Sequence, residues 1–208
     1  MREDIHRWQE KYRRAGPIQP LAPDALLLRH TDLFVAGGIA FDIASGAGHS
    51  AVYLAQRGYQ VVAFDCSSEG LRRAQQLAAQ EHTAIQAVAL DLDRAQLPLD
   101  KANVLTCFRY LNRALFPAME AAIRPGGLFI YKTFNVHHLK TSPQFNPKYV
   151  LQPGELASLM PNASVIDLSD GTTSGEIYSW LVARIAYPGK LFLPIRASVD
   201  AYWNSEEC

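Results

Sequence analysis

The sequence predicts an α/β fold in which one mostly parallel sheet is covered by helices on both faces. Three observations support this prediction. Short apolar runs alternate with helical patterns between residues 39 and 134, these runs are almost continuously apolar, and the last two strand-like runs have no helix between them. Strands that are apolar on both sides are typical of a parallel sheet buried between two helical layers.

The first part of the chain precedes the sheet. A charged helix is expected over roughly residues 3–15, with Trp8 and Tyr12 on one face because residues four apart are neighbours on a helix. Three prolines between residues 17 and 23 then form a stiff connector that cannot continue a helix. A second short helix is expected over about 23–33.

Seven apolar runs are predicted to be the strands: 39–44, 60–64, 84–90, 104–108, 128–134, 164–168 and 177–186. A helix closing at Gly58 is expected after the first run, and a helix capped by Ser67 after the second. Another helix is expected over 111–123, stopped by the turn at 125–127. Because the last two runs are joined by a short segment, they must pair antiparallel. We therefore expect only the run 177–186 to oppose the other strands.

Length and composition limit the classes of protein. The 208 residues, 49% of them hydrophobic, fit one domain with a helix and connector over 1–21, a core over 22–186 and a tail over 187–208. Lys and Arg together number 20, as do Asp and Glu, so no basic surplus predicts an extended nucleic-acid footprint. Three cysteines without CxxC spacing indicate a reducing compartment and no structural zinc site.

Neither a membrane span nor a secretion signal is predicted. No apolar run approaches the roughly 18 residues that a spanning helix needs. The first residues, MREDIHRWQEKYRR, lack the apolar centre of a signal peptide. We therefore expect a cytoplasmic protein, either a monomer or a homodimer.

The most informative stretch for function is FDIASGAGHSA, residues 41–51, where the first strand turns into a helix. Small residues at 44–48 let the backbone approach a ligand, and the helix start offers unpaired N–H groups. Asp65 ends the second strand, where an acidic residue can bind ribose hydroxyls. The glycines alone would also fit a nicotinamide-dependent dehydrogenase. Asp42 argues against this rival because its carboxylate would repel a pyrophosphate and attract a cofactor with a cationic end.

With these residues the chain resembles the class I S-adenosylmethionine-dependent methyltransferases, whose first motif is an acidic residue followed by a Gly-rich turn. Ala44 departs from the family, which often has its first glycine there, but alanine is nearly as small. The resemblance implies a Rossmann-like sheet of seven strands, mostly parallel and closed by an antiparallel hairpin. It covers roughly residues 22–186 and includes Asp65, residues 91–92, the turn at 124–128 and the final hairpin.

Within the family, residues 53–58 and 108–111 look like those of small single-domain bacterial members, including the tellurite-resistance-type enzymes. The resemblance implies S-adenosylmethionine as the methyl donor and S-adenosylhomocysteine as the product. It assigns the cofactor to Asp42, Ala44, Ser45, Gly46, Gly48, Asp65, Cys66, Asp91, Leu92 and Phe108.

The family pattern gives these residues separate roles. Asp42 and the Gly-rich turn would hold the methionine end of the cofactor, and Asp65 would take the ribose hydroxyls. Cys66 and Leu92 would lie against the two faces of the adenine, and Asp91 would reach its amino group. Asp93 is a second candidate for the role of Asp91, and either carboxylate could instead cap a turn.

The acceptor site is expected at the carboxyl end of the fourth strand, the edge where open α/β sheets bind ligands. Arg109 and Tyr110 lie there, and in the family this position faces the reacting methyl group. Methyltransferases of exocyclic amines often carry an Asn/Asp-Pro-Pro-aromatic tetrapeptide here; its absence disfavours nucleic-acid bases as acceptors. Arg109 would clamp an anionic group or take part in an exposed salt bridge. Further candidates are Tyr12, His137, His138 and Lys140.

The long connection 135–151 is expected to be functional or disordered. Its histidines could act as a general base, as metal ligands without a third partner, or as surface residues. With Arg109 and Lys132 they would give the site a positive charge that favours a thiolate, carboxylate or oxyanion; otherwise these cations are solvated. Tyr12 and Trp8 either cover the cofactor as a lid or dock the first helix.

Methyl transfer can depend on positioning and desolvation alone, so no catalytic residue is predicted. The leading hypothesis is a methyltransferase for a small molecule. The alternatives are an RNA or protein methyltransferase and a non-catalytic S-adenosylmethionine-binding protein.

Overall fold

The computed structural model describes residues 2–171 and 175–186. The predicted tail, residues 187–208, lies outside the described residues. The strands are β1 (Ile39–Ile43), β2 (Gln60–Asp65), β3 (Gln86–Ala89), β4 (Ala102–Phe108), β5 (Ile123–Phe134), β6 (Ala163–Ser169) and β7 (Tyr178–Ile185). The helices are α1 (Arg2–Arg14), α2 (Ala25–Arg29), α3 (His49–Gln56), α4 (Ser68–Gln80), α5 (Phe116–Ala122), α6 (His138–Thr141) and α7 (Glu155–Ser158).

The strands form one seven-stranded sheet in the order β3-β2-β1-β4-β5-β7-β6. Neighbouring strands from β3 to β5 are parallel, and β7 is antiparallel to both β5 and β6. The predicted α/β fold is therefore confirmed, with β7 as the strand that opposes the rest. Parallel strands place their carboxyl ends at one edge of the sheet, which we call the carboxyl edge.

The core lies on both faces of the sheet because residues alternate in direction along each strand. In β5, Leu128 and Ile130 pack with α2 and α3, whereas Phe129 and Tyr131 pack with α5 and α7. Two predicted helix ends are also confirmed. Gly58 follows α3 with a φ of 86°, and the Ser67 hydroxyl accepts a hydrogen bond from the Gly70 amide at the start of α4.

The segment 23–33 is not one helix as expected. The α2 helix ends after five residues, because His30 leaves helical geometry and hydrogen-bonds through Nε2 to Asp167 Oδ2 at 2.8 Å. A short 3₁₀ turn, Thr31–Leu33, follows.

The turn predicted at 125–127 is the beginning of β5. Ile123 already pairs with Ala102, and a register shift in β4 accommodates the following residues. A Cβ at Gly127 would lie 2.9 Å from the Ala102 carbonyl oxygen, so only glycine permits this close approach.

The connection 135–151 has its own structure. It contains α6 and a 3₁₀ turn at Pro147–Tyr149, and Asn135 forms a parallel bridge with Leu151 where the segment returns to the sheet. Across the part of the chain that the structure describes, no helix has the length and apolar character needed to cross a bilayer.

Candidate active site

The backbone is strained where β1 and β4 end at the carboxyl edge. Ala44 has a φ of 55° and Arg109 a φ of 57°, in the left-handed region that side chains disfavour. Such a conformation costs on the order of 1–3 kcal/mol in a non-glycine residue and is concentrated at functional sites. The two residues follow neighbouring strands, so these two strained positions lie side by side. His82 and Asp100, each with a φ of 53°, share this conformation elsewhere in the chain.

Asp42 lies buried beneath the Gly-rich turn. Its Oδ1 accepts a hydrogen bond from Thr106 Oγ1 at 2.7 Å, and its Oδ2 accepts one from the Ala51 amide at 3.1 Å. Burial raises the pKa of Asp42 to about 7. The two hydrogen bonds act in the opposite direction, because they favour the ionised form. The carboxylate thereby joins β1, β4 and the first turn of α3, and it sets the shape of the turn above it.

The Gly-rich turn is packed closely against α4. Gly48 has a φ of 81°, and a Cβ there would lie 2.4 Å from the Cβ of Ala74. Ser45 precedes the glycines, and its Oγ is buried without a hydrogen-bond partner among the described residues. A buried unpaired hydroxyl is costly unless a ligand or water satisfies it. This atom therefore supports the prediction that the turn binds a polar molecule.

Asp65 connects the turn to α4. Its Oδ2 accepts from the Gly46 amide and its Oδ1 from the Ser67 amide, both at 2.8 Å. Burial raises the pKa of Asp65, and burial and the adjacent Asp65 charge raise the pKa of the Cys66 thiol to about 12. Asp91 is a further carboxylate whose charge acts on Cys66. These three predicted residues therefore lie together at the ends of β2 and β3.

Asp91 and the two remaining residues predicted for the cofactor, Leu92 and Phe108, have separate surroundings. Asp91 Oδ1 accepts a hydrogen bond from the Asp93 amide at 3.1 Å, which stabilises the turn after β3. Leu92 is buried and belongs to the core cluster on the α5 side of the sheet. Phe108 ends β4 and is partly buried against the opposite core cluster.

The α1 helix lies across the Gly-rich turn and the start of α4. Gln9 Oε1 accepts hydrogen bonds from Ser67 Oγ at 2.9 Å and from the Glu69 amide at 3.2 Å. A Cβ at Gly46 would lie 2.2 Å from the Tyr12 hydroxyl oxygen, so Tyr12 is in contact with the turn. Trp8 packs on Tyr12 with ring centroids 6.1 Å apart. The helix is thus both docked on the domain and placed beside the predicted cofactor site.

Arg109 lies at the opening of this site. Its amide donates to the Lys132 carbonyl oxygen at 2.7 Å, and its exposed guanidinium has no hydrogen bond or ion pair with a described residue. Burial and the Arg109 charge lower the pKa of both Lys11 and His49. His49 Nδ1 also accepts from the Ala22 amide at 3.1 Å, so it holds the proline-rich connector in place.

The positive charge expected around the acceptor is smaller than predicted. Lys132 Nζ donates to both carboxylate oxygens of Asp24, at 2.8 and 3.1 Å, and both side chains are mostly buried. The Lys132 charge is therefore compensated. Lys140 is exposed on α6, so among the predicted acceptor residues Arg109 supplies the cation nearest the strained edge.

The predicted histidines pack within the 135–151 segment. The His138 ring stacks on Phe134 with centroids 4.0 Å apart and meets Phe145 edge-on at 4.8 Å. His137 Nε2 and His138 Nδ1 are buried, and neither has a hydrogen-bond partner among the described residues. Tyr110 directs its hydroxyl toward Asp93 Oδ1, at 3.4 Å. Over residues 2–171 and 175–186, no three His, Cys, Asp or Glu side chains gather as metal ligands.

Sequence reasoning missed three residues that organise the site. Thr106 and Gln9 are ordinary polar residues whose roles depend on strands and helices brought together by folding. Asp24 has a local signal, since it stands between Pro23 and an apolar run and caps α2 through the Leu26 amide at 2.9 Å. Nothing in the local sequence predicts its ion pair with a lysine more than a hundred residues later.

Comparisons with known proteins give a consistent result. Residues 40–127 match a family model described as "Methyltransferase domain". The ubiquinone biosynthesis O-methyltransferase of Albidiferax ferrireducens is 27% identical over 202 residues, which cover 86% of this chain and 79% of the relative.

Two solved structures share the fold. TehB from Haemophilus influenzae has a TM-score of 0.66 at 13% identity, covering 79% of this chain and 63% of the TehB chain. Geranyl diphosphate C-methyltransferase from Streptomyces coelicolor, solved with Mg²⁺, geranyl diphosphate and S-adenosyl-L-homocysteine, has a TM-score of 0.67 at 11% identity. That match covers 88% of this chain and 97% of the other.

Proposed function

We propose that the chain is a class I S-adenosylmethionine-dependent methyltransferase and that it methylates a small acceptor molecule that is anionic or readily ionised. The match of residues 40–127 to a methyltransferase-domain model and the O-methyltransferase relative support the proposal. The observation that carries the proposal is that three polar side chains lie at the carboxyl edge of the sheet. The unpaired Ser45 hydroxyl, the Asp65 carboxylate and the free Arg109 guanidinium lie at the carboxyl ends of β1, β2 and β4, respectively.

The residues of the Gly-rich turn fit the methyl donor. Ser45 Oγ offers an unsatisfied hydrogen-bonding group, and Asp65 lies where the ribose would be bound. Cys66 and Asp91 lie beside it for the adenine. S-adenosylmethionine supplies the methyl group on a cationic sulfur. Asp42 supports the turn from below, and its charge favours a cationic ligand above it.

Arg109 and α1 prepare the acceptor. The guanidinium attracts an anion and favours the ionised form of an acceptor. Tyr12 and Gln9 hold α1 over the turn, which limits the access of water and strengthens this attraction. An acceptor anion then forms the new bond to the methyl carbon with its own electron pair. The methyl–sulfur bond breaks toward sulfur, so the charges cancel and no proton remains to be moved.

The chemistry named for one relative bears on the acceptor atom. The Albidiferax ferrireducens relative is named as an O-methyltransferase. That name supports an oxygen nucleophile, such as a phenolate or carboxylate, within the proposed class. A thiolate belongs to the same class, because it is also an anion that Arg109 would attract.

Binding of the donor is tested by calorimetry with S-adenosylhomocysteine. Asp65→Ala should weaken binding by about 1.5–3 kcal/mol, the typical loss of a hydrogen bond to a charged group. Asp32→Ala, at an exposed site before β1, is the control and should leave affinity unchanged. An unchanged affinity in folded Asp65→Ala protein would contradict the assignment.

Acceptor chemistry is tested with labelled S-adenosylmethionine and a panel of thiols, phenols, carboxylic acids and chalcogen oxyanions. Arg109→Ala should lower kcat/KM for the best acceptor by about tenfold or more, the effect of a charge-assisted contact. Arg124→Ala, an exposed arginine at the opposite edge of the sheet, is the matched control. A preferred acceptor that stays uncharged over the active pH range would refute the role of Arg109.

A further inference from the structure

We propose that the cleft between α2 and the paired strands β5 and β7 binds the ring of an aromatic acceptor. The inference rests on the proposed methyl transfer at the neighbouring end of β4. It narrows the acceptor to a phenol or thiophenol, in which the ionisable atom is attached directly to a flat apolar body.

The cleft has the size of a small-molecule site. Its volume is about 470 Å³, and ligand pockets are on the order of 300–1,000 Å³. Its walls include Ala25, Leu26 and Arg29 of α2, Lys132 of β5, and Tyr178 and Trp180 of β7. Another cavity, of about 550 Å³, lies between Gly38, Asn103 and Gly126 at the amino ends of the strands. It opens at the edge opposite Arg109, so it cannot present an acceptor to the Gly-rich turn.

One wall residue of the cleft, Lys132, meets the strained residue Arg109 that follows β4. Lys132 pairs with Phe108 in the sheet, and the Arg109 amide donates to the Lys132 carbonyl oxygen at 2.7 Å. A molecule in the cleft would therefore contact Lys132, the residue whose carbonyl oxygen accepts from the Arg109 amide. An ionisable atom at the inner end of that molecule would be within the influence of the Arg109 charge.

The walls provide aromatic faces. Tyr178 stacks on Phe134 with centroids 4.9 Å apart, and the Lys132 ammonium lies 4.8 Å from the Tyr178 ring. The Arg29 guanidinium lies 5.3 Å from the Trp180 ring. Rings prefer to pack against other rings, in stacked or edge-on arrangements.

The cations of the cleft are compensated. Lys132 is paired with Asp24, and Arg29 Nη1 lies 3.3 Å from Asp167 Oδ2. Glu176 is exposed at the outer rim. Because these charges are paired, the inner walls mainly bind an apolar body. Arg109, which has no such partner among the described residues, is left to bind the ionised atom. This division of tasks fits a charged atom joined directly to a ring, and it does not fit a compact oxyanion.

The test fills the cleft from an exposed position. Ala25 is the exposed first residue of α2, so Ala25→Trp places a large side chain in the cleft without entering the core. Leu28→Trp is the matched control, because Leu28 is on the same helix, is 48% exposed and does not line the cleft. The probes are catechol and thiophenol as aromatic acceptors, with 2-mercaptoethanol as the compact one.

Binding is measured by ligand-observed NMR with S-adenosylhomocysteine present, and methyl transfer is measured separately. Wild-type protein should bind catechol or thiophenol more tightly than 2-mercaptoethanol. Ala25→Trp should weaken the aromatic ligand by about tenfold, the value of a ring contact and its burial. It should leave S-adenosylhomocysteine affinity unchanged, and Leu28→Trp should change neither. Trp180→Ala, which removes a wall, should weaken the same ligand.

Each outcome bears on one claim. Equal binding of aromatic and aliphatic probes, or unchanged aromatic binding in both Ala25→Trp and Trp180→Ala, overturns the cleft assignment. Methyl transfer to compact anions alone overturns it too, while the proposed function stands. Aromatic binding that Ala25→Trp weakens, without methyl transfer to any acceptor of the panel, supports the cleft and refutes the proposed function.

Discussion

The hydroxyl oxygen of Tyr12 lies where a side chain at Gly46 would begin, 2.2 Å from the position of a Cβ. The same tyrosine ring lies 3.0 Å from the position of a Cβ at Gly70, at the start of α4. The first helix of the chain is therefore fitted against two glycines, one before α3 and one in α4. Burial raises the pKa of Tyr12, so it remains a neutral group in this contact.

We predict that Tyr12→Ala weakens S-adenosylhomocysteine binding by about tenfold, because the ring that shields the Gly-rich turn from water is lost. The dissociation constant is measured by calorimetry. Leu99→Ala, at an exposed residue before β4, is the control. Equal affinities of wild-type and Tyr12→Ala protein would show that α1 is only docked on the domain.

The close contact between α3 and α4 predicts a large effect at Gly48. Gly48→Ala should lower the free energy of unfolding by about 1–3 kcal/mol, because a Cβ would overlap Ala74 and the φ is positive. Gly16→Ala is the same substitution at a position with nothing within 4 Å, and it should be neutral or slightly stabilising. Urea unfolding of both variants gives the comparison; equal losses would contradict the packing argument.

Asp42 should make stability depend on pH. Its pKa is raised to about 7 in the folded protein, whereas the pKa of an unfolded aspartate is about 3.9. Between these values the folded protein retains a proton that the unfolded chain has lost. The free energy of unfolding therefore decreases from about pH 4 to about pH 7 and levels off above that range.

Two substitutions test this dependence by urea unfolding across the same range. Asp42→Asn should make the decrease shallower, since the titrating group is gone. Thr106→Val removes the hydrogen bond to Oδ1, which favours the ionised form, so the levelling should move to higher pH. A slope that is identical in all three proteins would exclude Asp42 as its source.

The Asp24–Lys132 pair should show strong coupling. Asp24→Asn or Lys132→Met alone leaves one mostly buried charge without its partner, whereas the double variant leaves none. A double-mutant cycle should therefore give a coupling energy of about 1–3 kcal/mol. The surface pair Glu69–Arg72, treated in the same way, should give a smaller coupling energy, because solvent screens its charges. Equal coupling in the two pairs would contradict this difference in burial.

How much of the fold could be predicted depended on the range of the interactions. The direction of β7 was predictable, because the missing helix before it left no room for a parallel crossover. The beginning of β5 was not, since Pro125 and two glycines are typical of a turn and only the pairing of Ile123 with Ala102 makes this segment a strand. Local patterns describe local structure, and sheet pairing overrode them here.

The candidate site shows the same limit. The motif at 41–51 identified the edge of the sheet, and the structure places Ser45, Asp65 and Arg109 at that edge. The sequence could not indicate that Asp24 compensates Lys132 or that His138 packs on Phe134. Charge compensation between distant residues depends on the tertiary structure. The sequence therefore overestimated the positive charge around the acceptor site. The cofactor and acceptor roles of all the predicted site residues stay predictions.

The position of β7 determines the order in which the sheet can be completed during synthesis. β6 leaves the ribosome before β7, yet among the described strands its partner is β7. β5 likewise presents an open backbone edge until β7 arrives, and open edges attract other chains. A nascent chain that ends before residue 178 therefore carries two strands, β5 and β6, that still lack their neighbour β7, although β1 to β4 can already assemble around the Gly-rich turn. Shielding by a chaperone would matter most in the interval between the emergence of β5 and that of β7.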